Sequence, residues 1–97
     1  MAKGYWIVNM TVADAAAFER YKAANAAPLA AYGGRFLVRG GEQEVMEGES
    51  RPRTSVVEFP SLAAARDCYA SPGYRDAIAV RDGAAEMDFL IIEGYDG

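Results

Sequence analysis

The sequence predicts an α+β fold in which strands and helices follow one another in the order β-α-β-β-α-β. Three observations support this prediction. Runs of β-branched and aromatic residues lie near both ends of the chain, an Ala-rich segment follows the first run, and two alternating apolar segments flank a polar turn in the middle. At 97 residues the chain is long enough for one hydrophobic core, so we expect a single domain over residues 1–97.

The first strand and the first helix come from the N-terminal third. Residues 5–12 are rich in β-branched and aromatic side chains and predict a strand. Asp14 is expected to cap a helix that runs to about Tyr32, where the glycines at 33–34 supply a left-handed stop. Because proline lacks a backbone donor, Pro28 is expected to kink this helix or split it in two. Its inward stripe follows the helical spacing and comprises Phe18, Tyr21, Asn25, Leu29 and Tyr32.

A long hairpin is expected next. Residues 35–39 predict the second strand, and the glycines at 40–41 predict a bulge or bend in it. The strand is expected to resume at 43–46, and residues 54–59 return as the third strand after a polar turn. Simple alternation puts two residues of the second strand on one face and three on the other: Phe36 and Val38 against Arg35, Leu37 and Arg39.

The second helical region and the last strand complete the order. Ser61 and Ser71 are expected to cap two consecutive helical segments, with Pro72 at the first position of the second one. Residues 88–93 predict the last strand. The two helical stripes are Leu62, Ala65, Cys68 and Tyr69 in the first segment, and Tyr74, Ala77, Ile78 and Arg81 in the second.

This order is the split βαβ pattern of a ferredoxin-like sandwich, with a four-stranded antiparallel sheet and helices on one face. The other face of the sheet also needs a cover, because residues 5–8 and 89–92 are apolar at both strand parities. The predicted helices suffice for one face only. A second copy packed sheet to sheet is the simplest cover, so we expect a homodimer.

Several motifs resemble the family known as domain of unknown function 1330. They are Glu-Phe-Pro-Ser at 58–61, Tyr-Ala-Ser-Pro-Gly-Tyr at 69–74 and Glu-Gly-Tyr at 93–95, with further similarity at 36–41 and 45–48. The resemblance covers nearly the whole chain. It implies a dimeric α/β barrel, a superfamily that includes cofactor-free monooxygenases, small lactone isomerases, dismutating haem enzymes and regulatory ligand-binding modules.

Composition excludes several classes of function. A net charge of −4 argues against nucleic acid as a partner, since that affinity depends on Lys and Arg. The chain has no His, which removes Ser-His-Asp triads and His-ligated metal or haem, and no metal or cofactor is expected. A single Cys excludes an intrachain disulfide and fits a reducing cytoplasm. No export signal and no apolar run of about 18 residues is visible, so no membrane association is expected.

Arg39 and Glu58 are the candidates for catalysis. They lie on the two strands of the hairpin, in otherwise apolar runs, and charged residues are seldom buried without a partner. In the functional interpretation Arg39 binds an anion, while Glu58 orients it or acts as a base with a raised pKa. The alternative is a structural ion pair or a solvated edge.

Polar residues on the inward helical stripes are the other candidates. Core packing explains most of the tyrosines there, because each needs only one hydroxyl partner. Asn25 and Arg81 are harder to explain by packing, because a buried amide or guanidinium must find hydrogen bonds. Residues Trp6 and Asn9 have opposite strand parity, which weakens a comparison with the cofactor-free monooxygenases. Cys68 is expected to be a small buried hydrophobic residue. Residues 51–53 are expected to form a solvated loop.

Three hypotheses remain open. The first is a pocket for a small polar or aromatic organic molecule between helices and sheet, lined by Tyr21, Asn25, Arg39, Glu58, Tyr74 and Arg81. If that pocket is catalytic, cofactor-free proton transfer or isomerisation is expected, with Glu58 as base and an Arg stabilising the oxyanion. The second is a non-catalytic dimerisation or sensing module, and the third is a structural homodimer without a ligand. Binding is preferred to catalysis.

Overall fold

The sheet contains four antiparallel strands in the order β2-β3-β1-β4, and the helices pack on one of its faces. The computed structural model describes residues 2–97. The elements are β1 (Gly4–Val12), α1 (Ala15–Ala31), β2 (Arg35–Arg39), β3 (Arg53–Phe59), α2 (Leu62–Ala70), α3 (Pro72–Arg81) and β4 (Ala85–Glu93). The predicted ferredoxin-like α+β fold is confirmed, with α2 and α3 together in the place of the second helix. None of the helices within residues 2–97 is long and apolar enough to cross a bilayer.

β1 is the central strand that separates the two faces of the sheet. Its even-numbered residues Trp6, Val8 and Met10 are buried beneath the helices, whereas Ile7 and Asn9 point to the opposite, outer face. The alternation continues in both neighbouring strands, because β1 pairs in antiparallel register with β3 and with β4. The core therefore lies between the helices and one face of the sheet only.

All three helices begin at the predicted caps. The side chains of Asp14, Ser61 and Ser71 accept hydrogen bonds from the backbone N–H three residues later, at 3.0 to 3.2 Å. α1 continues through Pro28, so the predicted split is wrong. Pro28 lies in the last turn of the helix and is buried, and its carbonyl still accepts a hydrogen bond from the N–H of Tyr32 at 3.3 Å. The burial of Pro28 offsets the loss of the one backbone hydrogen bond that proline cannot donate.

The hairpin differs from the sequence prediction in two places. Residues 43–46 form no strand and belong to an exposed loop that connects β2 to β3, because no neighbouring strand pairs with them. The predicted bend is present at Gly40, whose φ is +67°, but a bulge lies earlier, between Phe36 and Val38. Phe36 pairs with Val57 on the helix side, and Val38 pairs with the next residue back, Val56, on the outer face. The predicted shared face of Phe36 and Val38 is therefore wrong.

Gly4 sits where β1 passes directly under the start of α2. A Cβ at this position would lie 2.7 Å from the Cα and 2.8 Å from the backbone N of Leu62. We expect Gly4→Ala to lower the free energy of unfolding by about 1–3 kcal/mol, because overpacking against backbone forces the strand and helix apart. For a domain of this size the melting temperature should fall by about 4–8 °C per kcal/mol, measured by circular dichroism.

Gly41→Ala is the matched control, because a Cβ there would have nothing within 4 Å. Its effect should stay within about 0.5 kcal/mol. Equal melting temperatures for the two variants would contradict the close packing of β1 against α2.

Candidate functional site

A cavity of about 30 Å³ lies between α1 and the helix side of the sheet. Most of its wall is apolar and comes from β1, β4 and α1. Its polar members come from α1 and from the hairpin: Tyr21, Lys22, Asn25, Arg39, Arg53 and Ser55. The wall contains no Asp, Glu or Cys. The positive side chains in the cavity therefore have no carboxylate among its lining residues.

A wider groove of about 210 Å³ lies beside the cavity, between α1 and β2. Asn25, Leu29, Phe36 and Arg39 line both spaces and so form the wall between them. The guanidinium of Arg39 lies over the ring of Phe36, with 4.2 Å between its Cζ and the ring centroid. Arg39 itself is exposed, so this stacked pair is the part of the wall that solvent and ligands reach first.

Asn25 presents an unsatisfied polar atom to the site. The residue is 4% exposed, yet its Oδ1 has no hydrogen-bond partner within residues 2–97. Buried polar atoms in folded proteins are nearly always hydrogen-bonded, so an unpaired amide oxygen that borders a cavity needs an explanation. The helical period of α1 positions this amide, one turn after Tyr21 on the buried stripe.

Arg53 and Arg39 lie on the same face of the hairpin. Arg39 is opposite Ser55 in the β2–β3 register, and Arg53 is two residues before Ser55, so both point to the helix side. The guanidinium of Arg53 lies over the ring of Phe18, with 5.2 Å from Cζ to the centroid, and its Nε is buried without a hydrogen-bond partner. Neither arginine forms an ion pair within residues 2–97.

Tyr74 and Arg81 lie behind Tyr21, at one remove from the cavity. The hydroxyls of Tyr21 and Tyr74 are hydrogen-bonded at 2.5 Å, and Tyr74 is fully buried. Desolvation by burial, and secondarily the neighbouring Tyr21, raises the pKa of Tyr74 above its ordinary value, so its hydroxyl stays neutral. Arg81 lies over the ring of Tyr21 at 5.3 Å. Tyr74 and Arg81 therefore contact Tyr21 and do not line the cavity.

Glu58 lies on the outer face of the sheet, away from Arg39, so the predicted pairing of these two residues is wrong. Its carboxylate accepts hydrogen bonds from Arg35 Nε at 3.0 Å and from the hydroxyl of Tyr5 at 3.3 Å, and Lys3 Nζ is 3.8 Å away. The hydrogen bond from Arg35 lowers the pKa of Glu58, and desolvation only partly opposes it. The expectation that Glu58 is a base with a raised pKa is therefore wrong.

The bulge in β2 is the physical reason for this correction. Without it, Arg35 and Arg39 would share a face, because they are four residues apart in one strand. The extra residue reverses the parity after Phe36, so Arg39 turns to the helix side while Arg35 stays opposite Glu58. The bulge therefore both separates Arg39 from Glu58 and brings Arg39 to the cavity.

Arg51 also lies on the outer face and is anchored there, so the expectation that residues 51–53 form a solvated loop is wrong. The backbone N–H of Arg51 donates to Asn9 Oδ1 at 2.7 Å, and its side chain binds Asp88 at 2.9 Å and Glu86 at 3.2 Å. Arg53 is already the first residue of β3. Asn9 thus anchors the loop on the outer face, whereas Trp6 is buried on the helix side, as their parity predicted.

Cys68 is fully buried in the core, as predicted, and its Sγ lies 3.5 Å from the carbonyl oxygen of Pro28. Burial raises the pKa of this thiol to about 11, which keeps it protonated at neutral pH. Within residues 2–97 no group of three or more His, Cys, Asp or Glu side chains is placed to hold a metal ion.

Sequence reasoning therefore identified part of the cavity wall and missed part of it. Tyr21, Asn25 and Arg39 of the predicted set line the cavity, whereas Lys22 on α1 and two residues of β3, Arg53 and Ser55, were missed. A signal for the missed residues was present, because positions 53, 55, 57 and 59 alternate on one face of β3 and two of them are core residues. Because residues 51–53 were predicted to belong to the turn, the inward position of Arg53 was not predicted.

Solved structures with the same fold include a protein of unknown function from Rhodopseudomonas palustris. It is 18% identical, with a TM-score of 0.78, and the match covers 99% of this chain and 85% of that chain. SnoaB, a cofactor-independent oxygenase from Streptomyces nogalater, is 18% identical with a TM-score of 0.70, covering 100% of this chain and 97% of the other. A dimeric ferredoxin-like protein of unknown function from Thermobifida fusca is 14% identical with a TM-score of 0.59, covering 95% and 89%.

These likenesses establish the ferredoxin-like fold. A comparison with curated proteins finds no match. The model of one protein family, described as "Domain of unknown function (DUF1330)", matches residues 3–95. The motifs that resembled this family in the sequence lie within that match, and the chain belongs to the domain of unknown function 1330 family.

Proposed function

We propose that this protein is a homodimer that binds a small organic molecule between α1 and the sheet of each subunit. The observation that carries the proposal is the unpaired amide oxygen of Asn25, buried at the wall between the cavity and the groove. An apolar, aromatic wall with a few convergent polar groups is the usual composition of a small-molecule site. Two arginines without carboxylate partners, Arg39 and Arg53, add positive charge to this wall.

The outer face of the sheet supports the homodimer. Val38, Val56, Ile7 and Leu90 are paired in register and form one apolar row across all four strands. Leu90 and Ile92 are about half exposed, at 51% and 52%. An apolar row of this kind is typical of a surface that packs against another protein, and the fold offers no helix to cover it. Sheet-to-sheet packing of two copies would bury it.

Binding is supported over catalysis by the groups at the site. The side chains that line the cavity include no carboxylate, thiol or imidazole, which are the groups that most often act as general bases or nucleophiles. The carboxylate of Glu58 lies on the other face with a lowered pKa. A non-catalytic ligand-binding module in the cytoplasm therefore fits best, and the buried free thiol of Cys68 supports a reducing compartment.

A thermal-shift screen against small organic acids, aromatic metabolites and lactones tests the proposal. A compound that binds only the folded state stabilises it by about 2.7 kcal/mol at 100 times its Kd, which gives a clear rise in melting temperature. We expect at least one class of compound to produce this rise, and Arg39→Ala to abolish it.

Arg20→Ala is the matched control, because Arg20 is an exposed arginine on α1 outside the cavity and groove. The rise in melting temperature should persist in this variant. If no compound stabilises the protein, the alternative of a ligand-free interaction module is favoured. If a compound stabilises Arg39→Ala as it does the wild type, that compound binds elsewhere and the cavity is not its binding site.

A further inference from the structure

The helix side of the hairpin carries a concentration of positive charge in an acidic protein. The chain has a net charge of −4, yet Arg39 and Arg53 are diagonal neighbours on one face of β2 and β3, without carboxylates in the wall around them. Residues in this diagonal relationship lie about 7–8 Å apart. Two like charges at neighbouring positions repel each other, and a bound anion would remove that repulsion.

Both guanidiniums are held by aromatic rings instead of by acidic side chains. Arg39 lies over Phe36 and Arg53 lies over Phe18. Stacking on a ring fixes the plane of a guanidinium and leaves its N–H donors free at the edge. The buried Nε of Arg53 is one such donor without a partner. A planar fork of free donors matches the two oxygens of a carboxylate.

Asn25 adds a second requirement on the ligand. Its amide can present either the carbonyl oxygen or the amino group to the cavity, and a hydroxyl group both donates and accepts hydrogen bonds. A ligand hydroxyl would therefore satisfy this amide in either orientation. The cavity of about 30 Å³ next to Asn25 has room for one small substituent, such as a carboxylate or a hydroxyl, and not for a ring.

The groove limits the rest of the ligand. A cavity of about 150 Å³ is enough to hold benzene, and the groove between α1 and β2 measures about 210 Å³. One six-membered ring fits there, between Leu29 on one side and Phe36 on the other, whereas a fused polycyclic system would extend beyond the groove into solvent. The ring would lie beside Asn25 and Arg39, which line both spaces.

From these features we propose that the ligand is a single-ring hydroxylated carboxylic acid. Its carboxylate binds Arg39 and Arg53, its ring lies in the groove against Phe36, and its hydroxyl reaches Asn25. This inference rests on the proposed function and specifies the ligand class of the same site.

Isothermal titration calorimetry with three single-ring probes tests the inference: 4-hydroxybenzoate, its neutral analogue of equal size 4-hydroxybenzamide, and benzoate, which lacks the hydroxyl. We expect 4-hydroxybenzoate to bind about tenfold or more tightly than 4-hydroxybenzamide, because the amide loses the charged hydrogen bonds. Arg39→Gln and Arg53→Gln should each reduce that preference by about tenfold. Asn25→Leu should weaken binding of 4-hydroxybenzoate and leave benzoate unchanged.

Arg20→Gln is the control for loss of a positive charge and should leave all three affinities unchanged, and circular dichroism verifies that each variant is folded. Equal binding of 4-hydroxybenzoate and 4-hydroxybenzamide, or an unchanged preference in both arginine variants, would overturn the inference. If these probes fail while another class of compound binds with dependence on Arg39, the ligand class is wrong and the proposed function stands. If no compound binds at all, both are wrong.

Discussion

Trp6→Ala is expected to lower the free energy of unfolding by about 3–5 kcal/mol, the range found for large aromatic residues deleted from cores. Trp6 is 2% exposed, and its ring centroid lies 4.8 to 5.1 Å from the rings of Tyr74, Phe59 and Phe89. Its Nε1 also donates to the carbonyl of Ala65 at 2.9 Å, which ties β1 to α2. One side chain therefore joins the sheet to both C-terminal helices.

Such a loss is a large fraction of the stability of a domain, which totals about 5–15 kcal/mol. Urea unfolding followed by circular dichroism measures it. Tyr95→Ala is the matched control, because this aromatic residue is 96% exposed and its removal should change stability by no more than about 0.5 kcal/mol. A loss below about 1 kcal/mol for Trp6→Ala would contradict the central position of this ring in the core.

Leu90→Glu is expected to convert the dimer to a monomer at micromolar concentration. Leu90 lies at one end of the apolar row across the outer face, and twofold symmetry introduces each substitution twice into the interface. A charge buried in an interface without a partner costs about 2 kcal/mol or more, which corresponds to about 30-fold in the dissociation constant. Light scattering coupled to size-exclusion chromatography measures the mass.

Val80→Glu is the control for the dimer prediction, because Val80 is an exposed apolar residue on α3 and not on the sheet. Its mass should equal that of the wild type. A monomeric wild type, or a Leu90→Glu variant that keeps the dimeric mass and dissociation constant, would show that the apolar row does not form the interface.

Local signals made most of the fold predictable from the sequence. Asp14, Ser61 and Ser71 cap the helices because a side-chain oxygen at these positions meets free N–H groups of the first turn, which is a property of a few consecutive residues. The inward positions of Tyr21 and Asn25 follow in the same way from the period of one helix. Each of these features depends on residues of a single helix, so the sequence was sufficient to predict them.

The bulge in β2 was not predictable because it depends on two strands together. Nothing in residues 35–39 marks the position at which the pairing with β3 shifts by one residue. The glycines at 40–41 indicated a bulge or bend at a later position, and the structure has a bend at Gly40. This one shift decides whether Arg39 faces Glu58 or the cavity. The sequence therefore predicted the inward positions of Tyr21 and Asn25 on α1, whereas it did not predict which side of the sheet Arg39 faces.

The most direct test of the binding site is a ¹H–¹⁵N correlation spectrum of the labelled protein, recorded with each compound that raises the melting temperature in the screen. We expect the largest shift changes at backbone amides of α1 around Asn25 and of β2 around Phe36, where cavity and groove meet. Changes confined to the outer face of the sheet or to the loop at 41–52 would contradict a site between α1 and the sheet.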